Sequence, residues 1–255
     1  MNPKSQTIII KSDQEINLMR EAGKYHAELI EKVREFIKPG QTPYEIDKFA
    51  HKICKELDVI PAQIGYEDYP SATCVGVNDD AVHCIPSKDK VIKDGDIVTF
   101  DTVILKDGWH ADGGFTIGIG KVDSEGKRLI ATCKKALRAA IKATKPGART
   151  KDISKAVHRI ATQAGFTPIK KFAAHGLGKN IHEPPSIPNH TWNGPSPVLK
   201  KGMVLALDTM ICEGQGEVDF LEDGWSTKTK DGKRFAFFEH TVAITEKGAE
   251  ILTKK

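Results

Sequence analysis

Between Gly95 and Gly114 the chain reads GDIVTFDTVILKDGWHADGG. Its apolar positions (Ile97, Val98, Phe100, Val103, Ile104, Leu105) form a β-branched run that stops at Lys106-Asp107-Gly108. An Asp-Gly pair flanked by strand-like residues is a strong hairpin signal, so the stretch predicts two antiparallel strands. Folded there, Asp101 comes at or within one pair of direct opposition to Asp112. Two carboxylates side by side in an apolar ribbon repel each other and are costly to bury unpaired. Something cationic is therefore expected between them, and the acids and histidines elsewhere in the chain point to a pair of divalent metal ions.

Helical patterning precedes this hairpin. Ile8-Ile9-Ile10 predicts a short strand, and Ser12-Asp13-Gln14-Glu15 has the form of a capping box that starts a helix reaching Phe36. Pro39-Gly40 breaks it. Thr42-Pro43-Tyr44-Glu45 opens a second helix, with a capping threonine, proline at the first turn and glutamate at the third position. Ile46, Phe49, Ala50, Ile53 and Leu57 form its buried stripe. An irregular stretch through Gly65 to Pro70 leads to Asn78-Asp79-Asp80-Ala81-Val82-His83 and then to the hairpin.

The same plan recurs. A helix over 124–143 ends at Lys145-Pro146-Gly147, echoing Lys38-Pro39-Gly40 at an offset of 107 residues. At that offset Ile46, His51 and Ile53 fall on Ile153, His158 and Ile160, and the strand ending in Phe100-Asp101 falls on the one ending in Leu207-Asp208. A second Asp-Gly pair, Asp223-Gly224, would fold Asp208 back against Glu239. The expectation is one catalytic domain, 1–255, made of two related halves (12–120 and 121–250). Long helices flanking antiparallel hairpins make it an α+β fold, with pseudo-two-fold symmetry and a central antiparallel sheet.

Composition narrows the class. With 39% hydrophobic and 28% charged residues, the chain reads as a soluble globular protein. The net charge of +4 is mild, and its lysines and arginines are scattered among acids, which argues against nucleic-acid binding. Five cysteines without a Cys-x-x-Cys pair imply free thiols in a reducing compartment. The N-terminal stretch MNPKSQTIIIKSDQE is neither a signal peptide nor a membrane span, so a cytoplasmic protein is expected.

His175 lies in the glycine-rich segment Lys171 to Gly178, which is followed by Ile181-His182-Glu183-Pro184-Pro185. Asp101, Asp112, Asp208, Glu239 and His175 together carry about four negative charges, which two divalent cations neutralise. Mixed oxygen and nitrogen ligands suit manganese, iron, cobalt or zinc. Asp107, Asp223 and Asp231 precede glycine and read as turn residues. His51 and His158 fall in helical patterns and read as packing or surface residues; His26 and His190 have no metal context. His110 is the spare candidate ligand, and His240 should point away from the Glu239 face.

At this point the sequence resembles the bacterial type I methionine aminopeptidases, over nearly the whole chain. The likeness rests on the spacing of Asp101 and Asp112, His83 before Ile85-Pro86, His175-Gly176-x-Gly178 with His182-Glu183-Pro184, Trp225-x-x-Lys228-Thr229-Lys230-Asp231, and Phe238-Glu239-His240-Thr241. The resemblance implies the pita-bread fold and removal of the initiator methionine from nascent polypeptides by a water activated between two metals. It also implies that Asp101 and Asp112 bind one metal and His175 and Asp208 the second, with Glu239 bridging both. Asp208 and Glu239 count, with His83 and His182, among the catalytic residues it implies. His83 and His182 would hydrogen-bond the substrate, and Tyr66, Tyr69, Cys74 and Trp225 would form the methionine pocket. Implied partners are peptides with N-terminal methionine and nascent chains, in keeping with ribosome association; no nucleic acid or membrane is implied, and a monomer is expected.

Six residues at four places depart from the family pattern. Asp208-Thr209 stands where glutamate and proline are usual, Gln63 where cysteine is, Ile181 where an aromatic is, and Gly113-Gly114 where Thr-Ser is. Aspartate is shorter by one methylene, about 1.5 Å, so a metal-hungry activity is expected. Two rivals belong to the same architecture. One is a peptidase cleaving before proline; the other is a non-catalytic peptide-binding protein whose metals are weakened or lost.

Overall fold

Locally encoded caps set the helices. The computed structural model describes residues 7–254; the first six residues of the N-terminal stretch lie outside them. The chain opens with α1 (Asp13–Phe36) and α2 (Pro43–Glu56). The hydroxyls of Ser12 and Thr42 accept the backbone N–H groups of Glu15 and Glu45, whose carboxylates reach back to the capping N–H groups. Strands β1 (Ile60–Pro61), β2 (Cys74–Val77), β3 (Ile97–Lys106) and β4 (Trp109–Gly118) follow. Next come α3 (Ser124–Ala143) and α4 (Thr150–Gln163). The remaining strands are β5 (Thr167–Pro168), β6 (Ala173–Gly176), β7 (Glu183–Pro188), β8 (Val204–Ala206), β9 (Thr209–Cys212), β10 (Val218–Phe220), β11 (Thr227–Thr229), β12 (Phe235–Thr245) and β13 (Gly248–Ile251).

Helix α2 and helix α4 coincide end for end at the offset of 107 residues, and so do the last residues of α1 and α3. Gly40 and Gly147 both have left-handed backbones, with φ of 88° and 83°, as have Gly95 and Gly202 at 92° and 88°. Glycine pays no Cβ penalty there, which is why Pro-Gly and x-Gly mark the same corners in each stretch.

The result is an α+β fold. The main sheet is antiparallel and runs β1-β3-β4-β12-β8-β6-β7, with β2, β5, β9 and β13 joined to its sides; β10 and β11 form a separate ribbon. Alternation along the central strands divides the side chains between two faces. Phe100, Ile104, Ala111, Phe115, Phe238 and Val242 join Leu29, Ile46, Leu129 and Ile153 of the four helices in one core. Asp101, Asp112 and Glu239 are therefore turned to the opposite face. No helix among the described residues is long and apolar enough to cross a membrane. All five cysteines are free and buried.

Three local expectations need correction or refinement. Ile8 to Ile10 is not a strand: Ile9 and Ile10 are about half exposed, and the segment's backbone tie to the body is Lys11 N–H donating to Gly202 O at 2.7 Å. In the hairpin, Asp101 pairs with Gly114 and Asp112 with Val103, so the two carboxylates sit two positions out of opposition. The turn decides this, because Lys106 pairs with Trp109 across the two-residue loop Asp107-Gly108. The offset is even, so both acids keep one face and lie diagonally. At the second site Thr209 pairs with Phe238 and Ala206 with Thr241, a register that sets Asp208 opposite Glu239. Asp223-Gly224 lies in the loop of the β10–β11 ribbon rather than at the end of β9 and β12.

The unusual Gly113-Gly114 has a packing reason. A Cβ at Gly113 would come 2.9 Å from Cε1 of His26, and one at Gly114 would meet the Phe237 ring and sit 2.5 Å from the Phe100 carbonyl oxygen. Two aromatic side chains have taken the space that larger residues would need. Gly114→Ala is expected to destabilise the fold by about 1–3 kcal/mol, the usual range for overpacking. Urea unfolding reads this as a lower midpoint at unchanged slope, and an unaltered midpoint would contradict it.

Candidate metal centre and peptide cleft

One cavity of about 280 Å³ collects every residue given a catalytic, binding or metal role by the resemblance: Asp101, Asp112, His175, Asp208, Glu239, His83, His182, Tyr66, Tyr69, Cys74 and Trp225. Their side chains arrive from separate elements. Asp101 stands on β3, Asp112 on β4 and Glu239 on β12, all on the face away from the helices. Asp208 occupies the break between β8 and β9. His175 sits at an irregularity of the β6–β7 pairing between Ala174 and Gly176, which turns it into the cleft.

Asp112, His175 and Glu239 each offer an atom within 4.8 Å of the others. The His175 Nε2 atom lies 3.8 Å from Asp112 Oδ2 and 3.7 Å from Asp208 Oδ2. Its Nδ1 is 2.8 Å from the Gly176 carbonyl oxygen. A carbonyl only accepts, so Nδ1 carries the proton and Nε2 presents a lone pair. Burial, followed by the neighbouring His182 imidazole, pushes the His175 pKa down to about 3, so the ring is neutral. An acceptor therefore faces two acceptors. Asp208 Oδ1 and Glu239 Oε1 add two buried oxygens without a hydrogen-bond donor.

The carboxyls register the same strain. Burial and then the Asp208 charge push Asp101 up to about 7; burial pushes Asp208 up to about 7. Burial and the Asp101 charge hold Asp112 well above the carboxylate range, and burial and Asp112 do so for Glu239. Orphaned oxygens and an unprotonated imidazole nitrogen are a donor set that a divalent cation fits. The Nδ1 bond to Gly176 O also orients the ring as outer partners of metal-bound histidines do.

Beside this cluster lies an aromatic wall. The Tyr69 ring meets Trp225 edge-on at 5.1 Å, and its hydroxyl reaches the carbonyls of Thr73 and Cys84 at 3.0 and 3.1 Å. Tyr66 Oη is 2.7 Å from His182 Nδ1. His83 has a left-handed backbone, φ 60°, and its ring packs edge-on against Phe172 at 5.0 Å and Trp225 at 6.0 Å. A strained backbone at a non-glycine cleft residue costs about 1–3 kcal/mol and is typical of functional positions. Burial pushes the His83 pKa down to about 4, so this imidazole too is neutral at pH 7.

Gln63 Oε1 accepts the Val103 N–H at 3.4 Å, which directs its Nε2 to Cys74 Sγ at 3.3 Å and Asp101 Oδ2 at 3.5 Å. His110 stays out of the cleft; its Nδ1 and its backbone N–H both lie 3.0 Å from Gly178 O. His240 does point away from the Glu239 face, its Nδ1 lying 3.0 Å from Thr253 Oγ1. Two aromatic wall residues, Phe237 and Phe172, were given no role from the sequence. Phe237 was legible there, since period two on β12 puts it on the Glu239 face; Phe172 lies in a coil with no pattern to betray it.

Comparison with known proteins gives consistent results. The profile of metallopeptidase family M24 matches residues 17–246. A methionine aminopeptidase of Aquifex aeolicus is 39% identical, with 97% of this chain and 99% of that protein covered. The crystal structure of a methionine aminopeptidase from Thermotoga maritima superposes with a TM-score of 0.95 at 43% identity, covering 98% of this chain and 100% of that one. A prolidase from Pyrococcus furiosus shares the fold with a TM-score of 0.78 at 24% identity, covering 97% of this chain but 66% of its own.

Proposed function

The chain belongs to metallopeptidase family M24, among its methionine aminopeptidases, and from that premise we propose that it removes the initiator methionine from new polypeptides with a pair of divalent ions. It is a metal-using hydrolase of the aminopeptidase class. One observation carries the metal reading: the His175 Nε2 lone pair aimed at the carboxylate oxygens of Asp112 and Asp208. Asp101 and Asp112 would hold one ion and His175 and Asp208 the other, with Glu239 between them. Bound there, manganese, iron, cobalt or zinc supplies Lewis acidity that polarises the scissile carbonyl and lowers the pKa of the attacking water.

The protein's own groups do the remaining work. If the Tyr66 hydroxyl donates to His182 Nδ1, the Nε2–H of His182 is left free to donate to the oxyanion that develops on the substrate carbonyl. His83, neutral and wedged between Phe172 and Trp225, supplies a second N–H to the peptide. Asp208 Oδ1, which has no donor on it, is the atom placed to take the proton of the water and pass it to the leaving amine. Tyr69, Cys74 and Trp225, with Gln63 and Ile181, form a soft wall for the thioether of methionine.

This reading carries three further proposals. The two stretches related by the 107-residue offset are halves of one catalytic domain, as their matching helix ends support. Five free, buried thiols support a cytoplasmic setting, where nascent chains are met. Asp208, one methylene short of glutamate, makes the ion it shares with His175 the weaker of the two.

Metal titration run alongside hydrolysis of Met-Ala-Ser and of an Xaa-Pro peptide tests the whole. The expected outcome is two ions of unequal affinity per chain, activity that follows the second, and cleavage of Met-Ala-Ser alone. Full activity with a single ion would remove the paired-metal reading, and no turnover with any of the four metals would leave a peptide-binding protein in its place.

A further inference from the structure

An ion pair joins the segment ahead of α1 to the loop that carries His182. Lys11 Nζ lies 2.6 Å from Glu183 Oε2, and the side chains are only 3% and 2% exposed. Neither residue lines the cleft. The pair is nonetheless one link of a continuous chain of bonds. Glu183 Oε1 accepts the Asn180 N–H at 3.2 Å, Asn180 O accepts the Gly178 N–H at 3.2 Å, and Gly178 O receives the His110 backbone N–H at 3.0 Å. A Cβ at Gly178 would come 2.7 Å from both Glu183 Oε1 and Lys11 Cε, so the loop backbone lies directly on the pair. On the body side, Lys11 N–H donates to Gly202 O.

We propose that Lys11 is a positioning residue that acts on the reaction through His182. The inference rests on the aminopeptidase reading of the cleft. Glu183 immediately follows His182 and opens β7, where it pairs with Gly176. Holding both of its carboxylate oxygens therefore sets the backbone from Gly178 to Glu183, and with it the direction of the His182 ring. That ring reaches Tyr66 Oη at 2.7 Å on one side and packs 4.4 Å from the His175 ring on the other. Asp101, Asp208 and Glu239 stand on β3, in the β8–β9 break and on β12, which this chain of bonds does not reach; on β4 it ends at His110, while the Asp112 N–H is held independently by Thr241 Oγ1 at 2.9 Å. A buried ammonium is an expensive way to fasten a terminal segment, since apolar replacement of such pairs is often neutral or stabilising. What an ion pair adds is a single allowed geometry, and catalytic donors need that, because a misplacement of about 1 Å can cost about 100-fold in rate.

The test compares Lys11→Met, Lys11→Arg and the neutral pair Lys11→Met with Glu183→Gln, each in the metal-loaded full-length chain hydrolysing Met-Ala-Ser. Lys11→Met is expected to lower kcat by about 10–100-fold, with KM and metal affinity within about 3-fold of wild type, and Lys11→Arg to recover part of the loss. Introduced into a His182→Ala background, Lys11→Met should cost less than about 3-fold, because residues acting as one unit are not additive. Wild-type turnover without any effect of Lys11→Met overturns the inference and leaves the aminopeptidase reading standing. So does an undiminished effect in the His182→Ala background, or a loss of metal affinity that matches the loss of rate. Absence of wild-type turnover overturns both. If Lys11→Met does not fold, the Lys11→Arg and neutral-pair variants decide the matter by the same kcat and His182 criteria.

Discussion

Glu239→Gln is expected to abolish hydrolysis of Met-Ala-Ser while making the metal-free protein more stable. Glutamine keeps the shape of the side chain, so β12 should retain its pairing with Gly114 and its place opposite Asp208. What disappears is an ionisable carboxyl. In the metal-free protein, burial and then the charges of Asp112 and Asp208 disfavour its ionised form, a cost that neutral glutamine does not carry. An amide N–H₂ in the cluster also gives a donor to oxygens that have none, Asp208 Oδ1 among them. With metal the sign reverses, because a neutral amide is a poor ligand for the divalent ions that Glu239 is proposed to hold. Loss of outer partners alone costs metal sites about 10–100-fold, so kcat/KM should fall by at least about 100-fold. Calorimetric titration and apo unfolding check both halves. A variant that is active, or less stable than wild type without metal, would show that Glu239 does not hold the ions.

The metal-free protein should also lose stability as pH rises above about 6.5, while the metal-loaded protein should not. The carboxyls of Asp101 and Asp208, at about 7, and of Asp112 and Glu239, held well above the ordinary carboxylate range, bind protons in the fold that the unfolded chain gives up near pH 4. A raised carboxyl pKa contributes stability below the unfolded value, and that contribution drains away as pH climbs towards the folded one. Buried imidazoles act with the opposite sign. His26, His83 and His240 fall to about 4 and His175 to about 3, chiefly through burial, so they cost stability as pH drops below 6.5. The two sets oppose each other between pH 4 and 6.5; above 6.5 the carboxyls act alone. Each carboxyl still protonated then removes about 1.4 kcal/mol per pH unit. Metal binding should release those protons, and its stabilisation should grow from pH 6.5 to 8.5. A metal-free unfolding temperature that stays level over that range would refute the clustering of charge.

Much of this architecture was legible in the residue order. The caps at Ser12 and Thr42, the Asp107-Gly108 turn and the period-two strands involve groups within a few residues of one another. Local chemistry of that kind survives translation into structure almost unchanged. The acids of the cleft were legible for the same reason, since a two-residue Asp107-Gly108 loop pairs Lys106 with Trp109 and so keeps Asp101 and Asp112 on one face. Only their spacing differs from the expected one, because that same pairing sets them two positions out of opposition rather than one.

Assembly of the sheet decided the rest. The Nδ1 proton of His175 is assigned by the carbonyl of Gly176 at a strand irregularity, and only then does Nε2 face Asp112 and Asp208. The closeness of His26 and Phe237 to Gly113 and Gly114, and the bond between Lys11 and Glu183 across 172 positions, arise only when distant segments pack. By itself, the sequence determined which groups would share a face, because strand and helix periods are properties of the backbone. Which atoms meet was left to the tertiary structure, because tenths of an ångström between distant residues depend on how every intervening element packs.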